Sequence, residues 1–163
     1  MRITTDSVRG GYTLVELLLV IIIGTILMMM AIPNFTRVSA GQNVRNARDA
    51  MVWMSARARS RAIERGQVTL LEIDPANERV WIVRRNSGTP LASDTLEKIN
   101  FSSEQAVTLS TGANTKITLC YNPRGYAFPC TGTSPTSNVE VTFTHIGKIA
   151  QARVKPLGQI ERL

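Results

Sequence analysis

The strongest constraint on this chain is a run of nineteen residues, LVELLLVIIIGTILMMMAI at positions 14–32, that carries a single charge. As a helix rising about 1.5 Å per residue it spans roughly 30 Å, the thickness of a bilayer's hydrocarbon core. Arg2 and Arg9 precede it. Positive charge flanking a first apolar segment stays in the cytoplasm, so the N-terminus is expected inside and everything after the run outside. A secretory signal shares the basic start, but its apolar core is about 7–15 residues long and ends in a small-x-small cleavage site. Here the core is longer, holds Glu16, and leads into MMMAIPNFTRV, which offers no good site of that kind.

Glu16 is the informative residue. A carboxylate at mid-membrane depth costs about 2–3 kcal/mol and normally needs a partner, and no cation lies near it within its own helix. Either the side chain snorkels to the interface, only a few residues from the helix start, or its charge is met from outside. If the peptide bond after Gly11 is cut, Tyr12 becomes a free α-amino terminus and Glu16 the fifth residue of the shortened chain. A neighbour displaced along the helix axis then sets its amine against this carboxylate, neutralising both charges in an apolar surrounding.

The segment GYTLVELLLVIII resembles the type IV prepilin signature, with Gly11 before the scissile bond, Tyr12 where Phe is commoner, and Glu16 at the fifth mature position. The resemblance implies processing by a membrane-embedded aspartyl prepilin peptidase and N-methylation of Tyr12. It further implies extraction from the bacterial inner membrane into a pilus or a secretion pseudopilus among other pilin subunits, with the remainder of the chain periplasmic before assembly. Pro33 also follows the family, and by removing a backbone donor it is expected to kink or loosen the helix.

Beyond Pro33 an apolar stripe of Ala47, Met51, Met54, Ala58 and Ala62 recurs at three- and four-residue steps, so the helix is expected to run from Tyr12 to Arg65 and to pack that stripe on a sheet. Pro33 and Gly41 are its expected soft points, and Gly66 is a C-terminal stop. The pattern then changes to strands at 68–73 and 79–84 joined by Asp74-Pro75-Ala76-Asn77, with others at 106–110, 116–121, 125–128, 139–145 and 149–155. Turns are expected at Asn122-Pro123-Arg124-Gly125 and Ile146-Gly147-Lys148. The polar stretch 86–105 reads as a surface loop with a short strand around 98–101.

The expected fold is α+β, a long N-terminal helix, transmembrane in its first half, packed on a C-terminal antiparallel β-sheet head. Its segments are a leader at 1–11, a membrane and filament-core helix at 12–33, an amphipathic continuation at 34–66 and the head at 67–163. The stretches ARARSRAIERGQVTLLEI, KITLCYNPRGYAF and VEVTFTHIGKIAQARV extend the resemblance to the FimT/GspH minor pilin and pseudopilin family over nearly the whole chain.

Cys120 and Cys130, separated by nine residues, are too far apart for CxxC and lack further ligands for zinc. They form a disulfide or remain two thiols; export favours the bond, which stabilises by about 2–3 kcal/mol in the chain-entropy model. His145 is the only histidine, and no carboxylate pair or Gly-rich phosphate loop is evident, so neither a catalytic centre, a metal nor a cofactor is expected.

The net charge of +7 favours anionic partners. Three roles fit: a structural subunit at filament initiation or at the tip, a pseudopilin of type II secretion, or a receptor for double-stranded DNA in uptake. For the last, Lys148, Arg153, Lys155 and Arg162, with Arg124 on its turn, are the candidate phosphate contacts. DNA-binding members of the family tend to carry a Gly-Arg-x-Arg-like tail, which Gly147-Lys148-Ile149-Ala150 and Gly158-Gln159-Ile160-Glu161-Arg162 match poorly.

Overall fold

The computed structural model describes residues 12–85, 95–130 and 134–163. The expected leader, Gly11, and part of the polar stretch after residue 85 lie outside the described residues. The chain divides into two compact units between Val38 and Ser39. Helix α1, Leu14–Arg65, belongs to both and remains helical through Pro33 and Gly41, the positions where the sequence marks soft points.

In the first unit the helix begins on a local cap. The Thr13 Oγ1 accepts the Glu16 backbone N–H at 3.2 Å, half of the Thr-x-x-Glu capping arrangement. Thr25 hides its hydroxyl by donating to the Ile22 carbonyl at 2.8 Å, which suits a polar group on an apolar helix.

In the second unit α1 ends in a Schellman turn, with Gly66 at φ +61 and bonds from Gly66 N to Ile63 O and from Gln67 N to Ala62 O, both 3.3 Å. Two antiparallel sheets follow where the sequence led us to expect one. The first has the order β3-β2-β1-β5-β6, from Thr95–Asn100, Arg79–Arg84, Thr69–Asp74, Ile117–Tyr121 and Ala127–Phe128. The second has the order β4-β7-β8-β9, from Thr108–Thr111, Val139–His145, Lys148–Val154 and Ile160–Arg162.

The helical stripe of Val44, Ala47, Met51, Met54, Ala58 and Ala62 is fully buried against both sheets. Strand alternation sends Leu71, Ile73, Ile82 and Leu119 of the first sheet and Val141, Phe143, Ala152 and Val154 of the second into this same core. The flexible Met side chains fill the gaps between α1 and the strands. Leu70, Val83 and Cys120 have the opposite parity and form a small cluster on the other face of the first sheet, where Cys120 is disulfide-bonded to Cys130.

The polar stretch holds more structure than the expected loop with a short strand around 98–101. Its described part forms β3 and a short helix α2, Phe101–Gln105. Asn100 caps that helix by accepting the N–H groups of Ser102 and Ser103 at 3.1 and 3.2 Å, while the Glu104 carboxylate accepts the Asn100 N–H at 3.2 Å. Phe101 anchors it, fully buried and edge-to-face with Phe143 at 5.5 Å between ring centroids. Phe101, with Leu96 and Ile99 packed against the same core, therefore outweighed the local composition. Strand β9 was absent from the expectation, since Ile160-Glu161-Arg162 is too short and too charged to stand out.

Tyr121 closes the core between the sheets. Its ring is buried and its hydroxyl donates to the Gly158 carbonyl at 2.9 Å, while Arg59 lies over the ring at 5.9 Å. Burial pushes the phenol up to about 12, against smaller lowering effects of Arg59 and Ser55. A phenol whose folded-state pKa is raised contributes stability below its unfolded value near 10 and loses that contribution as pH climbs towards 12. The unit starting at Ser39 is thus expected to lose roughly 2–3 kcal/mol between about pH 10 and 12. Urea unfolding at stepped alkaline pH checks this, and Tyr121→Phe should flatten that part of the profile.

Candidate assembly site

Residues 12–32 present their side chains outward without exception. Leu17, Leu18, Leu19, Ile21, Ile22 and Ile23 are each about half exposed or more, Met28 to Met30 more so, and α1 is long and apolar enough to cross a membrane. Tyr12 is 86 % exposed at the start of this surface. Among the described residues no cation reaches the Glu16 carboxylate, and the hydrogen bond that Glu16 makes to Thr13 is through its backbone N–H. The described part of the first unit is therefore an apolar rod whose one acid, about a turn from its beginning, meets no cation among the described residues. Thr13 was readable as the helix cap from the Thr-x-x-Glu spacing, a signal our sequence reading did not use.

The basic residues singled out from the sequence do not form one face. Lys148 begins β8 and pairs in register with His145 across a two-residue turn, Ile146 at φ +43 and Gly147 at φ +69. Arg153 lies five residues along the same strand, roughly 17 Å away and of opposite parity. It is ion-paired to Glu140 across the ladder at 3.0 Å. Lys155 pairs with Glu161, and Arg162 pairs with Asp49 of α1 at 3.2 Å. Arg124 is elsewhere, on the turn after β5, beside Arg59, Ile63, Tyr126 and Leu157. Three of these five cations thus have a carboxylate within reach, and the remaining two stand on separate turns.

A family model for the type II transport protein GspH matches residues 47–158, which is the larger part of the chain. The chain belongs to the GspH family. A second model, the prokaryotic N-terminal methylation motif, matches residues 6–32 and so takes in Gly11, Tyr12 and Glu16. No curated protein matches.

Among solved structures, the type IV minor pilin FimU of Pseudomonas aeruginosa superposes with a TM-score of 0.54 at 16 % identity, over 75 % of this chain and 89 % of that one. The minor pseudopilin EpsH from the type 2 secretion system of Vibrio cholerae superposes with a TM-score of 0.50 at 10 % identity, over 74 % of this chain and 96 % of that one. At these identities the likeness is one of fold, a long N-terminal helix packed on antiparallel sheets, as the sequence led us to expect. This GspH-family protein is of the minor pilin and pseudopilin kind, a family of structural subunits that assemble with other pilins.

Proposed function

We propose that this GspH-family protein is made as a precursor, cut after Gly11, methylated on the Tyr12 amine, and assembled as a low-copy subunit that initiates a filament or sits at its tip. The observation that carries this reading is the exposed apolar rod whose Glu16 meets no cation among the described residues. Such a surface cannot remain in water, because covering it is favourable by about 25 cal/mol per Å². It is solvated first by the inner membrane, with Arg2 and Arg9 holding the leader in the cytoplasm and the unit from Ser39 onward in the periplasm. It is then covered by the helices of neighbouring subunits. The charge on Glu16 is met there by the new α-amine of Tyr12, its own or a neighbour's, which the peptidase creates by removing the leader.

The role is structural and includes no catalytic step. The minor pilin FimU and the minor pseudopilin EpsH share this fold; the place at initiation or at the tip is part of the proposal. A DNA receptor has less behind it. Phosphate binding asks for free cations on a shared face, and Arg153, Lys155 and Arg162 are each occupied by a carboxylate.

Mass spectrometry of the protein purified from its own host is expected to find a chain beginning at N-methylated Tyr12. A mature chain starting at Leu14 or later, or an intact leader in the presence of an active prepilin peptidase, would overturn the processing step.

A further inference from the structure

A cleft of about 480 Å³ opens on the second unit between the last turns of α1 and two glycine turns, lined by Arg59, Ile63, Arg124, Tyr126 and Leu157 among others. Its walls are tightly built. Gly125, at φ +80, sits so close to α1 that a Cβ there would lie 2.8 Å from the Ile63 Cδ1. Asn122 fixes the turn by accepting the backbone N–H groups of both Arg124 and Tyr126 at 3.0 Å. Arg124 and Tyr126 are therefore held on a rigid turn opposite Arg59, which reduces the ordering cost of binding.

Arg48, Arg57, Arg61, Arg79, Arg153 and Arg162 are all paired with carboxylates. Among the described residues no carboxylate pairs with Arg59 or Arg124, although both border one cleft. Three large apolar side chains surround them in water, Ile63 at 53 %, Tyr126 at 69 % and Leu157 at 72 % exposure.

We infer that this cleft docks an acidic segment of a different filament subunit, one that presents a carboxylate beside an apolar side chain. Paired guanidinium groups suit a carboxylate through charge-assisted, bidentate hydrogen bonds. Arg and Tyr around an apolar centre are the composition of a protein interface, whereas a phosphate backbone would leave Ile63 and Leu157 uncovered. A second copy of this chain is disfavoured as occupant by its own net charge of +7. The inference rests on the filament-subunit reading above and adds to it the surface and the chemistry of the neighbour.

The test is site-specific photocrosslinking of the full chain in its own host, with p-benzoylphenylalanine in place of Tyr126 and, separately, in place of Leu27 on the apolar rod. The expected result is an adduct from position 126 whose crosslinked peptide maps to an acidic segment of another subunit. It should fall about tenfold or more in Arg59→Glu/Arg124→Glu and persist in large part in Arg59→Lys/Arg124→Lys. An adduct from position 27 with none from 126 would overturn the cleft and leave the subunit reading standing. Adducts from neither position would overturn both. A product at 126 confined to nucleic acid, or to a neutral or basic peptide, would overturn the proposed partner.

Discussion

Glu16→Ala should reduce incorporation into sheared filaments by about a hundredfold or more while leaving the second unit folded. An amine left buried without its carboxylate costs about 3–5 kcal/mol, and each 1.4 kcal/mol is a factor of ten. The second unit should not respond, because among the described residues the Glu16 side chain has no partner beyond the start of its own helix. Helix capping is the competing account, since the Thr13 Oγ1 accepts the Glu16 N–H and an acid in the first turn favours the helix dipole. That account predicts a loss of only about 1 kcal/mol. Glu16→Gln separates the two, because it keeps length and hydrogen-bonding capacity and removes the charge. It should assemble as poorly as the alanine variant. Normal recovery of either variant in the filament fraction, measured by immunoblot against the membrane fraction, would remove the charge pair from the account of assembly.

Gly158→Ala is expected to destabilise the unit starting at Ser39 by about 2–5 kcal/mol, the sum of a left-handed backbone penalty and overpacking. Gly158 has φ +74, and a Cβ there would lie 2.3 Å from the Ala127 Cβ and 3.2 Å from the Tyr121 ring. Neither neighbour yields easily, since Ala127 is a strand residue of β6 and Tyr121 is buried in β5. Relief requires the turn after β8 to move, which breaks the bond from the Tyr121 hydroxyl to the Gly158 carbonyl. A urea midpoint shifted strongly downward with an unchanged slope is the expected reading. A midpoint within error of the parent would show that the turn relaxes freely and that it does not hold the two sheets together.

The features that the amino-acid order made legible are those whose physics is local. An apolar run long enough to span a bilayer, one acid near its start, basic residues before it and a glycine before Tyr12 can each be judged without knowing what else the chain does. The buried stripe from Ala47 to Ala62 and the hairpin turns at Asp74 to Asn77 and Ile146-Gly147 likewise depend on spacing and turn chemistry within a few residues. Long-range pairing decided the rest. A polar stretch became strand and helix because Phe101 finds Phe143 in the core, and β9 exists because Ile160–Arg162 meets the register of β8. The basic residues that looked like a common patch were parted by strand parity and matched with Glu140, Glu161 and Asp49, while Arg59 and Arg124, on different elements, were brought to one cleft without acids. Charge along a chain is additive, but its partners are chosen by which strands lie side by side, and that choice is made only when the core closes.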